Sequence, residues 1–139
     1  RFYGVDADLS YQLSPVWNAG LFGDYVRGKL DNDGNAPRVP GGRLGTRFKA
    51  DFGDGYSASA EYYHVFNQDD IANYETDTKG YNMLNLGLAY TGQVNAKTGY
   101  RLYAQANNLL DANVYQHESF LANVPQVGRN FTVGVDFNF

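Results

Sequence analysis

The sequence predicts an all-β protein: an antiparallel, up-and-down sheet of about seven strands forming part of a transmembrane β-barrel wall. Three observations predict it. Twelve Tyr, nine Phe and sixteen Gly against one Met and one Trp favour strands and turns over helices. Seven segments alternate apolar and polar residues with period two, so residues of one parity share a face. Short turns alternate in strict order with long polar loops, the rhythm of a barrel with brief turns at one membrane surface and long loops at the other.

Each strand follows from its own alternation. Tyr3, Val5, Ala7, Leu9, Tyr11 and Leu13 oppose Gly4, Asp6, Asp8, Ser10 and Gln12, and Ser14-Pro15 breaks the run. Trp17, Ala19, Leu21, Gly23 and Tyr25 then oppose Asn18, Gly20, Phe22, Asp24 and Val26, with Phe22 and Val26 as impurities of the polar face. After a loop over 31–42, Leu44, Thr46, Phe48, Ala50 and Phe52 oppose Arg43, Gly45, Arg47, Lys49 and Asp51. Gly53-Asp54-Gly55 is a tight-turn signal, and Tyr56, Ala58, Ala60 and Tyr62 alternate with Ser57, Ser59 and Glu61 beyond it. A polar stretch over 67–80 leads to Leu84, Leu86, Leu88 and Tyr90. A short connection over 91–99 leads to Tyr100, Leu102, Ala104 and Ala106. A last long loop over 108–126 precedes Phe131, Val133, Val135, Phe137 and Phe139.

Composition removes several classes of function. The 139 residues are at most one domain. Zero cysteines exclude a disulfide scaffold, a thiolate metal site and a cysteine nucleophile. A net charge of -4 without a Lys/Arg run argues against nucleic acid as a partner. No P-loop, dinucleotide glycine pattern or nucleophile elbow is present, so no enzymatic activity is expected. The mean hydropathy of -0.48 fits a soluble sandwich or a membrane barrel equally, because a barrel needs only alternate residues apolar.

What favours the membrane is the placement of aromatics near strand ends on the apolar face: Tyr3, Tyr11, Trp17, Tyr25, Tyr56, Tyr62, Tyr90, Tyr100 and Phe139. Two interfacial girdles of a barrel have this layout. The polar row Asp6, Asp8, Asp24, Arg43, Arg47, Lys49, Asp51, Glu61, Arg101 and Asp136 then lines a lumen.

The C-terminal stretch carries a family resemblance. Asn108-Leu109-Leu110-Asp111, Tyr115, Gly128-Arg129-Asn130-Phe131 and the alternate apolar residues up to Phe139 resemble the last two strands of a TonB-dependent outer-membrane receptor. Tyr115-Gln-His117-Glu-Ser119-Phe120-Leu121, Val124-Pro125-Gln126 and Val39-Pro40 resemble the metal-importing branch that includes zinc-uptake receptors. The resemblance implies a barrel of about 22 strands with a plugged lumen. Residues 1–139 would then be its C-terminal part, with plug, energy-coupling segment and signal peptide absent. It also implies a Gram-negative outer membrane, an inner-membrane TonB complex and the barrel assembly machinery as partners, and transport of zinc, a siderophore or haem. Phe131, Val133, Val135, Phe137 and Phe139 are the assembly signal in this reading. A passive porin-like or adhesin barrel is the alternative, and a soluble β-sandwich a more distant one.

Candidate site residues are few. His64 continues the apolar parity of its strand and reads as part of a girdle. His117 beside Glu118 is an imidazole-carboxylate pair suited to a borderline metal, though two ligands do not make a site. Asp69, Asp70, Glu75 and Asp77 form an acidic loop that attracts cations or simply keeps the loop solvated. Arg1, Arg27, Lys29 and Arg129 share the apolar parity at the long-loop ends. There they form a basic rim for lipopolysaccharide phosphates or frayed strand ends in water.

Overall fold

The computed structural model describes residues 1–31, 34–121 and 123–139. Seven strands follow one another: β1 (Phe2–Gln12), β2 (Trp17–Gly28), β3 (Arg43–Gly53), β4 (Tyr56–Val65), β5 (Tyr81–Asn95), β6 (Thr98–Asn107) and β7 (Asn130–Asn138). They form one sheet in the order β1-β2-β3-β4-β5-β6-β7, each antiparallel to the next. Among the described residues there is no helix.

Register fixes the faces. Trp17 pairs with Ala50, Ala50 with Ala58, Ala58 with Leu88, Leu88 with Ala104 and Ala104 with Val133. One row across six strands is therefore wholly apolar, and a slip of one residue anywhere would put it among charges. Among the described residues nothing covers this face: Val5, Leu9, Leu21, Leu44, Leu88 and Val133 are all exposed. The buried hydrophobic set is correspondingly small, namely Phe22, Ala36, Val39, Ala50 and Val114. A sheet with one continuous, uncovered apolar face belongs in a medium that is itself apolar.

The two ends of the sheet differ. Chain reversal between β1 and β2 is held by the Ser14 hydroxyl, which accepts the N–H groups of Val16 and Trp17. Between β3 and β4, Asp54 and Gly55 both have positive φ, at 49° and 85°, as a two-residue primed hairpin turn requires. Between β5 and β6 the sequence predicts a connection over 91–99, yet the strands run on to Asn95 and resume at Thr98. Asn95 is the reason, since its side-chain oxygen accepts the N–H groups of Lys97 and Thr98 and folds a tight turn.

Along this end runs a belt of rings. Trp17 meets Phe52 edge-on at 5.9 Å, Tyr56 meets Tyr90 at 4.6 Å and Tyr90 meets Tyr100 at 6.0 Å. Phe137 stacks on Phe139 at 6.4 Å further along. At the opposite end lie the three long connections, over 29–42, 66–80 and 108–129.

Candidate ligand cavity at the long-loop rim

The polar face is organised as cross-strand ion pairs. Arg47 on β3 donates from Nε to Glu61 on β4 at 3.0 Å and from Nη1 to Asp8 on β1 at 2.9 Å, reaching over β2. Its guanidinium crosses the Phe22 ring, 4.3 Å from the centroid. Four residues nearer the long loops on β3, Arg43 donates to Asp24 at 2.8 Å. Towards the short-turn end of the far strands, Arg101 faces Asp136 at 3.5 Å. Seven of the ten charged residues assigned to this face by parity are thus paired with one another. Phe22, an impurity in the pattern, is buried here. Its ring lies in the space left by the absent side chain of Gly45 and meets Tyr63 edge-on at 6.2 Å.

The three loops are docked on each other. Gln68 is buried and donates to the carbonyls of Val39 at 2.6 Å and Pro40 at 3.2 Å, and Asn35 donates to the Ile71 carbonyl. Arg38 has positive φ at 59°, gives its N–H to Glu75 Oε1 at 2.9 Å and places its guanidinium 3.6 Å above the Phe120 ring. His117 is buried, with Nδ1 2.7 Å from the Thr78 hydroxyl and Nε2 3.5 Å from Glu75 Oε2. Glu75 also accepts the Ala72 N–H at 3.0 Å. Partial burial pushes its carboxyl up, but the N–H groups of Ala72 and Arg38 and the ring of His117 outweigh this and hold it below the ordinary carboxylate range.

The motif Asn108 to Asp111 closes the base of the last loop. Asn108 is buried at positive φ, and its side chain both donates to the Ala112 carbonyl and accepts the Ala112 N–H, each at 2.9 Å. Its own N–H goes to Asn85 on β5. Asp111 accepts the Arg129 N–H at 3.0 Å, so the two ends of the loop meet.

Between the loops and the polar face lies a cavity of about 330 Å³. Asp24, Arg43, Tyr63 and Tyr81 line it from the strands, Gln68 and Lys79 from the second loop, and His117 and Glu118 from the third. The structure thus brings His117 and Glu118 to one cavity, while the carboxylate that faces the imidazole is Glu75, outside the proposed pair. Among the described residues no three His, Cys, Asp or Glu side chains converge in a way that could hold a metal ion. Of the acidic loop, Asp70 pairs with Arg27 at 2.6 Å and Glu75 with the neighbouring loops. The four rim bases lie at the long-loop end. Arg27 is engaged by Asp70, Arg129 by Asp111 at 3.7 Å, and the amino terminus of Arg1 by the Lys29 carbonyl. His64 sits with Tyr62 around the Asn82 side-chain oxygen, its ring edge-on to Phe66.

Comparison with known proteins now decides the family. The family described as "TonB dependent receptor-like, beta-barrel" matches residues 1–109. The chain belongs to the TonB-dependent receptor β-barrel family. Among solved structures it is similar to the "Copper transporter OprC", with a TM-score of 0.86 and 26% sequence identity over 99% of this chain. It spans 23% of that chain's length. The family match ends at the Asn108 motif, whereas the structural likeness continues through it.

Proposed function

We propose that this chain is the C-terminal wall and part of the outer mouth of an active importer for a scarce metal, free or chelated, in a Gram-negative outer membrane. The likeness to a copper transporter over nearly the whole chain carries the proposal and sets copper beside zinc as candidate cargo. The polar cavity under the docked loops is where incoming cargo would be held, with Arg43, Asp24 and the two tyrosines as its polar contacts. Energy comes from the inner membrane through a TonB complex and a plug outside this chain. The alternate apolar residues from Phe131 to Phe139 serve as the signal for barrel assembly, and Arg1, Arg27, Lys29 and Arg129 remain a candidate contact for lipopolysaccharide phosphates.

The test is metal accumulation. Cells carrying the intact protein are compared with cells lacking it, in medium depleted of copper or of zinc, with and without an uncoupler of the inner membrane. The reading predicts uncoupler-sensitive accumulation of one of the two metals that depends on the protein. Unchanged accumulation of both, with faster passive entry of small solutes, would support the porin-like alternative instead.

A further inference from the structure

We propose that the outward face of β4 to β7 holds one phospholipid with an ammonium headgroup, a phosphatidylethanolamine, its acyl chain in an apolar groove and its headgroup at the tyrosines beside the β3–β4 turn. The inference rests on the apolar face meeting lipid and goes beyond transport.

The apolar face is not flat. A groove of about 490 Å³ runs over it, with a lining that is almost wholly apolar. Ala58 and Ala60 on β4 and Ala104 and Ala106 on β6 form its floor, Leu88 stands between the two pairs, and Phe131 bounds it on β7. Small side chains on two strands beside larger ones leave valleys that run along the strands, which cross the bilayer as acyl chains do. A chain lying in a valley meets atoms on both sides and gains more dispersion contact than one on a flat wall. One outward position nearer the short turns, the valley ends in rings. Tyr56 pairs with Tyr90 next to the row of Ala58 and Leu88, and Tyr100 follows opposite Gly92. These rings draw together, at 4.6 Å and 6.0 Å between centroids, because Gly92 has no side chain: a Cβ there would meet the Tyr100 ring. The Tyr90 ring also lies against Gly55 of the β3–β4 turn. Asp54, the residue before it, is exposed and acts electrostatically on Tyr90, and it forms no ion pair among the described residues. Electron-rich ring faces beside an unpaired carboxylate recognise an organic ammonium. The same carboxylate repels a headgroup that carries only negative charge. Beyond Tyr100 on the ladder, the β5–β6 turn carries Lys97, a counter-charge for the phosphate. Headgroup site and groove are contiguous, so one lipid fills both, and each end raises the occupancy of the other.

The test uses the intact protein purified in detergent, with phosphatidylethanolamine or phosphatidylglycerol of the same acyl chains added, and native mass spectrometry to count the lipids retained. One phosphatidylethanolamine should be held about tenfold more tightly than phosphatidylglycerol, the preference expected of an ammonium between aromatic rings and a carboxylate. Asp54→Asn keeps a residue type that accepts the positive φ of the turn and should bring the two lipids level. Ala104→Phe fills the valley from the lipid side, leaves the ladder untouched and should weaken retention of phosphatidylethanolamine by a similar factor. Leu9→Phe, on the same face at β1, should change nothing. A photoreactive group on the acyl chain of phosphatidylethanolamine should mark peptides of β4 to β6. Equal retention of the two lipids by the parent protein, an unchanged preference in both variants, or crosslinks spread evenly over the strands of the apolar face would overturn the site. Hydrocarbon contact at residues 58 and 60 without selective retention would sink this proposal alone, whereas water contact there would remove the lipid-facing reading beneath it.

Discussion

The ring of Phe22 on β2 fills the space beside Gly45 on β3, on the side of the sheet that otherwise carries ion pairs. A Cβ at residue 45 would run into the Phe22 ring on one side and Tyr63 on the other. The absence of a side chain at 45 and the presence of a ring at 22 are one packing unit, sealed above by Arg47.

Gly45→Val should therefore destabilise the folded wall by about 1–3 kcal/mol, the usual range for overpacking a filled site. Urea unfolding of the intact protein in lipid checks this. Phe22→Ala combined with Gly45→Val should recover part of the loss, whereas two additive losses would mean the two side chains do not share the space.

Replacing Arg47 should matter less than its two ion pairs suggest. The side chain keeps 37% exposure and faces a watery lumen, where such pairs contribute roughly 0–1 kcal/mol. Arg47→Met is expected to lower the unfolding midpoint less than Gly45→Val does. A larger drop would show that the lumen at this height is dry.

Asn108→Ala should loosen the base of the last loop specifically. It leaves the N–H and carbonyl of Ala112 without their partner, at about 1–3 kcal/mol for groups of this kind. Hydrogen exchange at Ala112 and Arg129 should accelerate while β6 and β7 stay protected. Acceleration spread evenly over the strands would contradict the assignment of Asn108 to loop closure.

Acid should undo the loop docking at Glu75. Its carboxyl titrates below the ordinary value, so its contribution is complete above that value and disappears as pH falls through the lowered one. Loop protection should hold at pH 6 and be lost only below the ordinary carboxylate value of about 4.3. Glu75→Gln should remove the acid-sensitive step, and a step of the same size in that variant would place the titrating group elsewhere.

The strands were legible because a one-sided sheet writes its face into the sequence every second residue, from Tyr3 to Phe139. Family membership was legible in Asn108 to Asp111, for which the structure supplies the reason: a buried Asn that turns the chain and an Asp that pins the returning end. The loop contacts were not legible. Thr78 and His117 are 39 residues apart, with two strands between, and no periodicity relates them. His117 has Glu118 as its neighbour in sequence, whereas the fold brings Glu75 to its ring from the second long loop. The connection expected over 91–99 is shorter in the structure, because Thr91, Gly92 and Gln93 pair with Arg101, Tyr100 and Gly99 and the Tyr100 ring covers Gly92 within the ladder.

The central claim is that the polar face of this sheet lines a lumen and the apolar face meets lipid, the reverse of a soluble sandwich. Four single-cysteine variants at consecutive positions of β4, Ala58→Cys, Ser59→Cys, Ala60→Cys and Glu61→Cys, test it in the intact protein in bilayers. A spin label at 59 or 61 should be reached by a water-soluble relaxation agent, and one at 58 or 60 by oxygen dissolved in the hydrocarbon, with the two accessibilities alternating out of phase. Water access at 58 and 60 with shielding at 59 and 61, or equal water access at all four, would contradict the account.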